Sequence, residues 1–366
     1  MLLAVVCFVC VPFMSHGLHG FLDVVTYNTG LTPIVDRYKE RRVMIGESIR
    51  KLDADVICLQ EVWFSTDMSA IMDAVGRDRY PHTFSGLHVG VGHLRTTHFT
   101  DAPCMTKGFS IEFLPCFLAK CAAMSSDLEM LMCAKQKCRM FETLTQPCIT
   151  CLVISGISNI LQSCVDVRGT RFNELGLLLL SKRPIEHVRT RHFVADKVLI
   201  PRGYIDAEVD GLVKIVCTHL SANVGETYFE DLDYESWSQQ NLAEARHVVR
   251  VLEHVHHVIV MGDLNSSPAV SQAAVEPDFP DSYAYLENHG YHGVYVNEHG
   301  ICTWCTYNPL TKTRRNLILD HVMSKNLTIT GIRVLRTLDR NLPGKTFPAS
   351  DHFGIHVTFK RTGFLN

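Results

Sequence analysis

Eight polar residues follow short apolar runs in this chain: Asn28 in TYNTG, Glu61 in LQEVW, His219 in THL, Asp263 and Asn265 in GDLN, Asp320 in LDHV, and Asp351 and His352 in SDH. Gathered in one pocket, their carboxylates would repel one another unless a cation sat among them. An oxygen-rich donor set without thiolate favours Mg²⁺, or Mn²⁺, over zinc. Histidine titrates near neutral pH, and a carboxylate behind it raises its basicity. The set therefore suits metal-assisted acid–base chemistry. Taken singly, each residue has a plainer reading: D-L-N after a strand makes a turn, because Asp and Asn bond their own backbone, and a lone buried histidine is usually structural. Eight together argue for a shared site.

Such a site needs strands to aim it, and the sequence supplies them. Phe21 to Tyr27 reads as a strand, DRYKERRVMIGESIRKLDAD as a helix with apolar positions at Val43, Ile45, Ile49 and Leu52, and VICLQEVW as a buried strand, which makes a β-α-β unit. Arg37, Lys39, Arg41 and Arg42, mixed with acids, read as a solvated helix face. LGLLLLSKRPIEHV, RGYIDAEVD and LVKIVCTHLSA alternate apolar runs with turns in the manner of an antiparallel sheet. WSQQNLAEARHVVRVLEHVHH predicts an amphipathic helix facing inward through Leu242, Ala245, Val248, Val249 and Leu252, and it leads into VIVMGDLN. His254, His256 and His257 fall at its C-terminal end, where the helix dipole favours them. Two short strands follow in NLILDHVMSK and HFGIHVTFK. The expected fold is a four-layer α/β/β/α sandwich of two packed mixed sheets with outer helices.

A hydrophobic content of 46% and a charged content of 20% over 366 residues provide for a core and argue against disorder. The formal charge of −3 leaves no global basic field to hold a polyanion through many phosphate contacts. The N-terminus, apolar from Leu2 to Met14 and then small at Ser15 and Gly17, predicts a signal peptide over residues 1–19 and a secreted protein. A catalytic domain over 20–362 is expected to follow. Eight of the fourteen cysteines crowd between Cys104 and Cys164, which reads as a disulfide-rich, helical insertion over 104–164. Cys116, Cys121, Cys133 and Cys138 repeat C-x4-C, and a helical hairpin stapled 116–138 and 121–133 is one geometry that fits. Phe109, Phe113, Leu114 and Phe117 are expected to form the insertion's own core, with membrane docking as the rival role. Cys302 and Cys305 suit a local disulfide, whereas Cys58 and Cys217, inside apolar strands, are expected to be buried free thiols. Asn326 in NLT fits the glycosylation sequon, as does Asn265 in NSS, where a glycan would block the site.

The ordered set TYNTG, LQEVW, THL, GDLN, LDHV and SDH resembles the endonuclease/exonuclease/phosphatase superfamily, which includes deoxyribonucleases and neutral sphingomyelinases. Any one motif is weak; six in order are specific, and they span Phe21 to Phe359 apart from the insertion. The resemblance implies that Glu61, with Asn28, holds Mg²⁺ and that Asp351 lies on the metal side. It implies that His352 activates the attacking water with Asp320 orienting it, that Asp263 and Asn265 hold the nucleophile and a phosphoryl oxygen, and that His219 stabilises the pentacovalent phosphorus or assists the leaving group. A phosphodiester is already anionic, so its hydrolysis needs a cation, donors and a base of this kind.

LQEVWFSTD, GLLLLSKRPI, THLSA and PRGYIDAEV look most similar to neutral sphingomyelinases. The expected activity is therefore phospholipase C-type cleavage of sphingomyelin or another phospholipid at a membrane surface by a monomer. A secreted deoxyribonuclease-like endonuclease acting on nucleic acid is the runner-up, and a non-catalytic secreted binding protein that keeps the fold is the third reading.

Overall fold

A computed structural model describes residues 20–86, 99–156, 159–165, 171–193, 197–225, 232–293, 295–296, 301–335, 340–342 and 345–360. The expected signal segment lies outside them. These described residues form fifteen strands and nine α-helices.

The first sheet runs β12 (Thr328–Leu335), β15 (Gly354–Lys360), β1 (Phe21–Leu31), β2 (Val56–Val62), β6 (Leu178–Ser181), β3 (His82–Ser85). The second runs β11 (Asp320–Lys325), β10 (Val258–Asp263), β9 (Val213–His219), β8 (Gly203–Val209), β7 (Ile185–His192). Parallel and antiparallel pairs mix in both: β1 is parallel to β2 and antiparallel to β15, and β10 is parallel to β9 and antiparallel to β11. Two short hairpins complete the strands, β4 (Phe99–Asp101) with β5 (Arg171–Asn173) and β13 (Arg340–Leu342) with β14 (Lys345–Phe347). The expected sandwich is thus observed. The antiparallel middle is divided, however, with β6 in the first sheet and β7, β8 and β9 in the second.

Alternation explains the layers. Val24, Val56 and Cys58 pack with Val213, Ile215 and Cys217 of the second sheet, while Val25, Tyr27, Ile57 and Leu59 pack with Met44, Ile45, Ile49 and Ile71 of α1 (Tyr38–Lys51) and α2 (Ser65–Val75). On the far side lie α8 (Trp237–Val251) and α9 (Pro280–Asn288). The α8 helix begins where the Ser236 side chain accepts from the backbone N–H of Gln239, an N-cap that satisfies one free helical donor. It then buries Ala245, Val248 and Val249 against the second sheet.

Three expectations are corrected here. Cys58 and Cys217 are not free thiols: they form a disulfide, Cα–Cα 5.5 Å, because both point into the space between the sheets from facing strands. Val43 is 48% exposed and Met44 takes its place in the core, a shift of one position along the helix. Arg41, expected on a solvated face, is fully buried beneath the end of β1.

The insertion is helical as expected. A π-helical turn, Gly108–Phe113, runs into α3 (Leu114–Lys120), followed by α4 (Asp127–Cys138), α5 (Met140–Thr143), α6 (Gln146–Ser155) and α7 (Ile160–Ser163). Disulfides join Cys116 to Cys138, Cys121 to Cys133, Cys104 to Cys148 and Cys151 to Cys164. The stapled hairpin is therefore present. Phe109, Phe113 and Phe117 stack on one another and are buried, so they form the insertion's core and none of them is free to dock on a membrane. The local bridge Cys302–Cys305 also forms. No helix among the described residues is long and apolar enough to cross a membrane.

Candidate active site

Register alone assembles one half of the site. Asp263 at the end of β10 is the direct partner of His219 on β9 and of Asp320 on β11, so three polar side chains stand in one row across neighbouring strands. The antiparallel direction of β11 matters: Asp320 begins its strand, and His352 likewise precedes β15, although the sequence suggests that every site residue follows its apolar run. Strands of both directions meet at one end of the sandwich. There Gly262 lies so close to the backbone of Thr218 that an added Cβ would collide with it.

The first sheet supplies the other half. Asn28 Nδ2 donates to Asp263 Oδ2 at 2.8 Å and to Glu61 Oε1 at 3.2 Å, and lies 3.5 Å from His352 Nε2. Alternation along β2 would send Glu61 to the helix side with Ile57 and Leu59. Instead its backbone is left-handed, φ 58°, and the carboxylate turns toward Asn28. Asn265 is left-handed as well, φ 48°, with its N–H on Asp263 Oδ1 and its Nδ2 donating to Leu220 O. Non-glycine residues held in this region of backbone space carry strain that clusters at functional sites.

The oxygen Asp263 Oδ2 is the point of convergence. His219 Nε2 stands 3.4 Å from it and His352 Nε2 3.8 Å from it. On its other side, His352 Nδ1 lies 2.8 Å from Asp320 Oδ2, so the ring donates backward to a carboxylate and presents Nε2 forward. Asp320 is itself fixed by a backbone N–H donating to Thr303 Oγ1, and the Trp304 ring lies 4.7 Å from the His352 ring. Burial alone would lower the His352 pKa, but Asp320 and Asp263 outweigh it and push it up to about 10. Burial, with Asp320 next, raises the Asp263 carboxyl to about 7. His219 moves far down, through burial first and then the positive Arg202.

Asp351 and Glu61 line the same cleft, an open hollow of about 830 Å³ that also exposes Asn265, Arg202, Trp304 and Arg315. Asp351 Oδ1 sits against Gly30, φ 53°, leaving no room for a Cβ there. Burial and the neighbouring Asp351 together raise the Glu61 carboxyl. Among the described residues no cationic side chain bonds to either carboxylate, and such a pair is the donor set a hard divalent cation completes, so these residues fit the ion the sequence implies. Asn28 turns its Oδ1 to the N–H of Gly30 at 3.0 Å, and in this orientation it braces Glu61 and Asp263 through its amide nitrogen. Asp263, Asp320 and His352 form a further group with one ligand atom each within 4.8 Å of the others.

All eight residues chosen from the sequence come together. Sequence reasoning missed two arginines. Arg41 Nη2 donates to Gly30 O at 2.7 Å, Nη1 to Thr29 O at 3.2 Å and Ala349 O at 3.4 Å, and Nε to Asp36 O at 2.9 Å, tying the β1 end to the segment that bears Asp351. Arg202 Nη1 lies 2.9 Å from His219 Nδ1. Nothing in DRYKERR separates Arg41 from its exposed neighbours, and nothing in PRGYIDAEV points Arg202 at a histidine seventeen positions on. In both cases the partner comes from another element.

The sequence model described as the Endonuclease/Exonuclease/phosphatase family matches residues 25–352, and the chain belongs to that family, a superfamily of divalent-metal-dependent phosphoric diester hydrolases. Among solved structures it is similar to a sphingomyelinase C from Streptomyces griseocarneus, at 16% identity and a TM-score of 0.53 over 92% of this chain and 99% of that one. A beta toxin from Staphylococcus aureus is similar at 12% identity and a TM-score of 0.53 over 92% and 99%. An endonuclease/exonuclease/phosphatase from Beutenbergia cavernae is similar at 16% identity and a TM-score of 0.51 over 93% and 72%. Neutral sphingomyelinases are thus among its structural neighbours, as the sequence resemblance implies. At these identities the likeness speaks for the fold. No curated protein matches the chain.

Proposed function

We propose that this chain is a secreted, Mg²⁺-dependent phosphodiesterase that cleaves a phospholipid, sphingomyelin foremost, between the lipid oxygen and phosphorus. The convergence of Asn28, His219 and His352 on Asp263 Oδ2 carries the reading. A water held by Asp263 loses its proton to His352 Nε2, while Asp320 keeps the ring oriented and stabilises the imidazolium. The water oxygen attacks phosphorus in line, the bond to the lipid oxygen breaks, and the departing lipid oxygen takes up, through solvent, the proton that His352 releases, leaving a lipid alcohol and a phosphomonoester headgroup. His219 and Asn265 face the phosphoryl oxygens, where charge grows in the transition state. Glu61 and Asp351 would hold the divalent ion, which would supply charge neutralisation at phosphorus and offset the carboxylate field that favours the charged form of His352.

The lipid preference is supported by the sphingomyelinase-like motifs and by the cleft rim. Ile34 and Val224, which line it, are 52% and 50% exposed, and apolar rims suit a membrane surface better than a polyanion. The disulfides and the apolar N-terminal run support secretion, with the mature domain over 20–362. Asn326 is exposed in the turn between β11 and β12, at the far end of the strand that begins with Asp320, so a glycan there would leave the cleft clear.

The test is hydrolysis of sphingomyelin, lysophospholipid and plasmid DNA by the purified protein with and without Mg²⁺. Sphingomyelin turnover that vanishes on chelation and returns with Mg²⁺ is expected. Exclusive DNA cleavage would replace the lipid reading with the nuclease one.

A further inference from the structure

Arg202, at the head of β8, is 7% exposed and lines the cleft together with Glu61, His219 and Asp263. Behind it lies a second hollow of about 290 Å³, lined by Gln146 of the insertion and by Glu174, His192 and Gln240. Among the described residues no carboxylate bonds to this guanidinium. Glu244, the acidic group that most favours its charge, spends its oxygens on Ser221 and Gln240. Arg202 Nε is buried without a partner, and Nη1 is directed at His219 Nδ1, 2.9 Å away.

That contact decides the state of the histidine. A guanidinium has five N–H donors and no acceptor, and it keeps its proton in proteins. The ring nitrogen facing it must therefore accept, so Nδ1 carries the lone pair and the ring proton sits on Nε2. His219 Nε2 is the nitrogen that faces Asp263 Oδ2 inside the cleft. A histidine placed to act as an acid or base is more often backed by a carboxylate or a carbonyl, which holds a proton on the rear nitrogen, as Asp320 does for His352. The two histidines of this site are thus backed by opposite charges: the rear nitrogen donates in His352 and accepts in His219.

We propose that Arg202 is a positioning residue that locks His219 as a neutral, forward-facing N–H donor to a non-bridging phosphoryl oxygen, leaving all proton transfer to His352. The assignment rests on the phosphodiester reading for its substrate and on the structure alone for its tautomer. Its consequence is a division of labour: His219 stabilises charge and neither takes nor gives up its proton.

The experiment uses the full chain with ring-¹⁵N-labelled histidine and long-range ¹H–¹⁵N NMR at neutral pH, with His219 assigned by loss of its signals in His219→Gln. Native protein is expected to show protonated Nε2 and unprotonated Nδ1 at His219. Arg202→Met is expected to lose that pattern and to lower kcat about 100-fold, the scale for removing a transition-state donor, with a smaller change in KM. Arg202→Lys, which keeps a cationic donor, should retain the native tautomer and recover most of the rate, and it carries the test if the Met variant does not fold. A native His219 protonated at Nδ1 overturns the proposal, as does a folded Arg202→Met protein with the native ¹⁵N pattern or a native kcat. If the native protein hydrolyses no phosphodiester, the NMR result still stands by itself, so failure of the functional reading is told apart from failure of this one.

Discussion

The two sheets contain one disulfide, Cys58–Cys217, whereas the insertion between Cys104 and Cys164 contains four and no strand among its described residues. The sheets hold themselves with long ladders, from Phe21↔Lys360 to Thr26↔Ile355 along one edge of β1 alone. The insertion has helices too short to persist unaided, α5 and α7 being four residues each, so cross-links close its loops. The proposed catalytic groups sit at or beside the ends of paired strands, and none sits on the stapled helices. Precision of position comes from the ladder; the disulfides confer durability. The insertion still touches the site's surroundings, since Thr32 Oγ1 donates to Ile154 O and Gln146 lines the hollow behind Arg202.

The largest effect is expected in the ladder-built half. His352→Ala should lower kcat about 1,000-fold, within the range for removing a general base. Its melting temperature should stay close to native. Near-normal turnover by the folded variant would remove His352 from the mechanism and weaken the claim that the sheet ends are where chemistry resides.

Asp320→Asn should act on both rate and pH. The Asp320 anion favours the imidazolium, so removing it lowers the His352 pKa, and a base that must be neutral to act then becomes available at lower pH. The acidic limb of the kcat/KM profile should move down in pH while kcat falls. An unmoved limb, read in a pH–rate profile with Mg²⁺ saturating, would mean that another group sets it.

The smallest effect on turnover is expected from the cysteines, and it sharpens the contrast. The double variant Cys121→Ser with Cys133→Ser opens a bridge of sequence separation 12 and should cost about 2–3 kcal/mol of stability, read by denaturant titration, with kcat unchanged. Cys58→Ala with Cys217→Ala opens one of separation 159 between the strands that carry Glu61 and His219, and should cost more stability. It should also lower kcat severalfold, through the site's spacing. A larger kcat loss in the insertion variant than in the sheet variant would reverse the assignment of roles.

Much of this was legible from residue types and order. The six motifs carried the family and the eight residues that the structure brings together, because a strand ending in a polar residue leaves a local signature. The insertion was legible from cysteine density. The error at Cys58 and Cys217 has a physical source: an apolar strand shows that a thiol is buried, but not which residue faces it across the interface. Arg41 was unreadable for the same reason, its four acceptors being carbonyls from three separate segments.

The sequence by itself determined which chemistry was at hand, since the supply of carboxylates, histidines and amides at strand ends does not depend on the fold. Tertiary structure decided which groups meet. The Asp320–His352 contact and the Arg202–His219 contact join residues far apart in the chain, and each sets where one histidine holds its proton. Charge and hydrogen bonding act through distance in space; strand pairing brings Arg202 to His219, packing of the two sheets brings Asp320 to His352, and both distances fall below 3 Å.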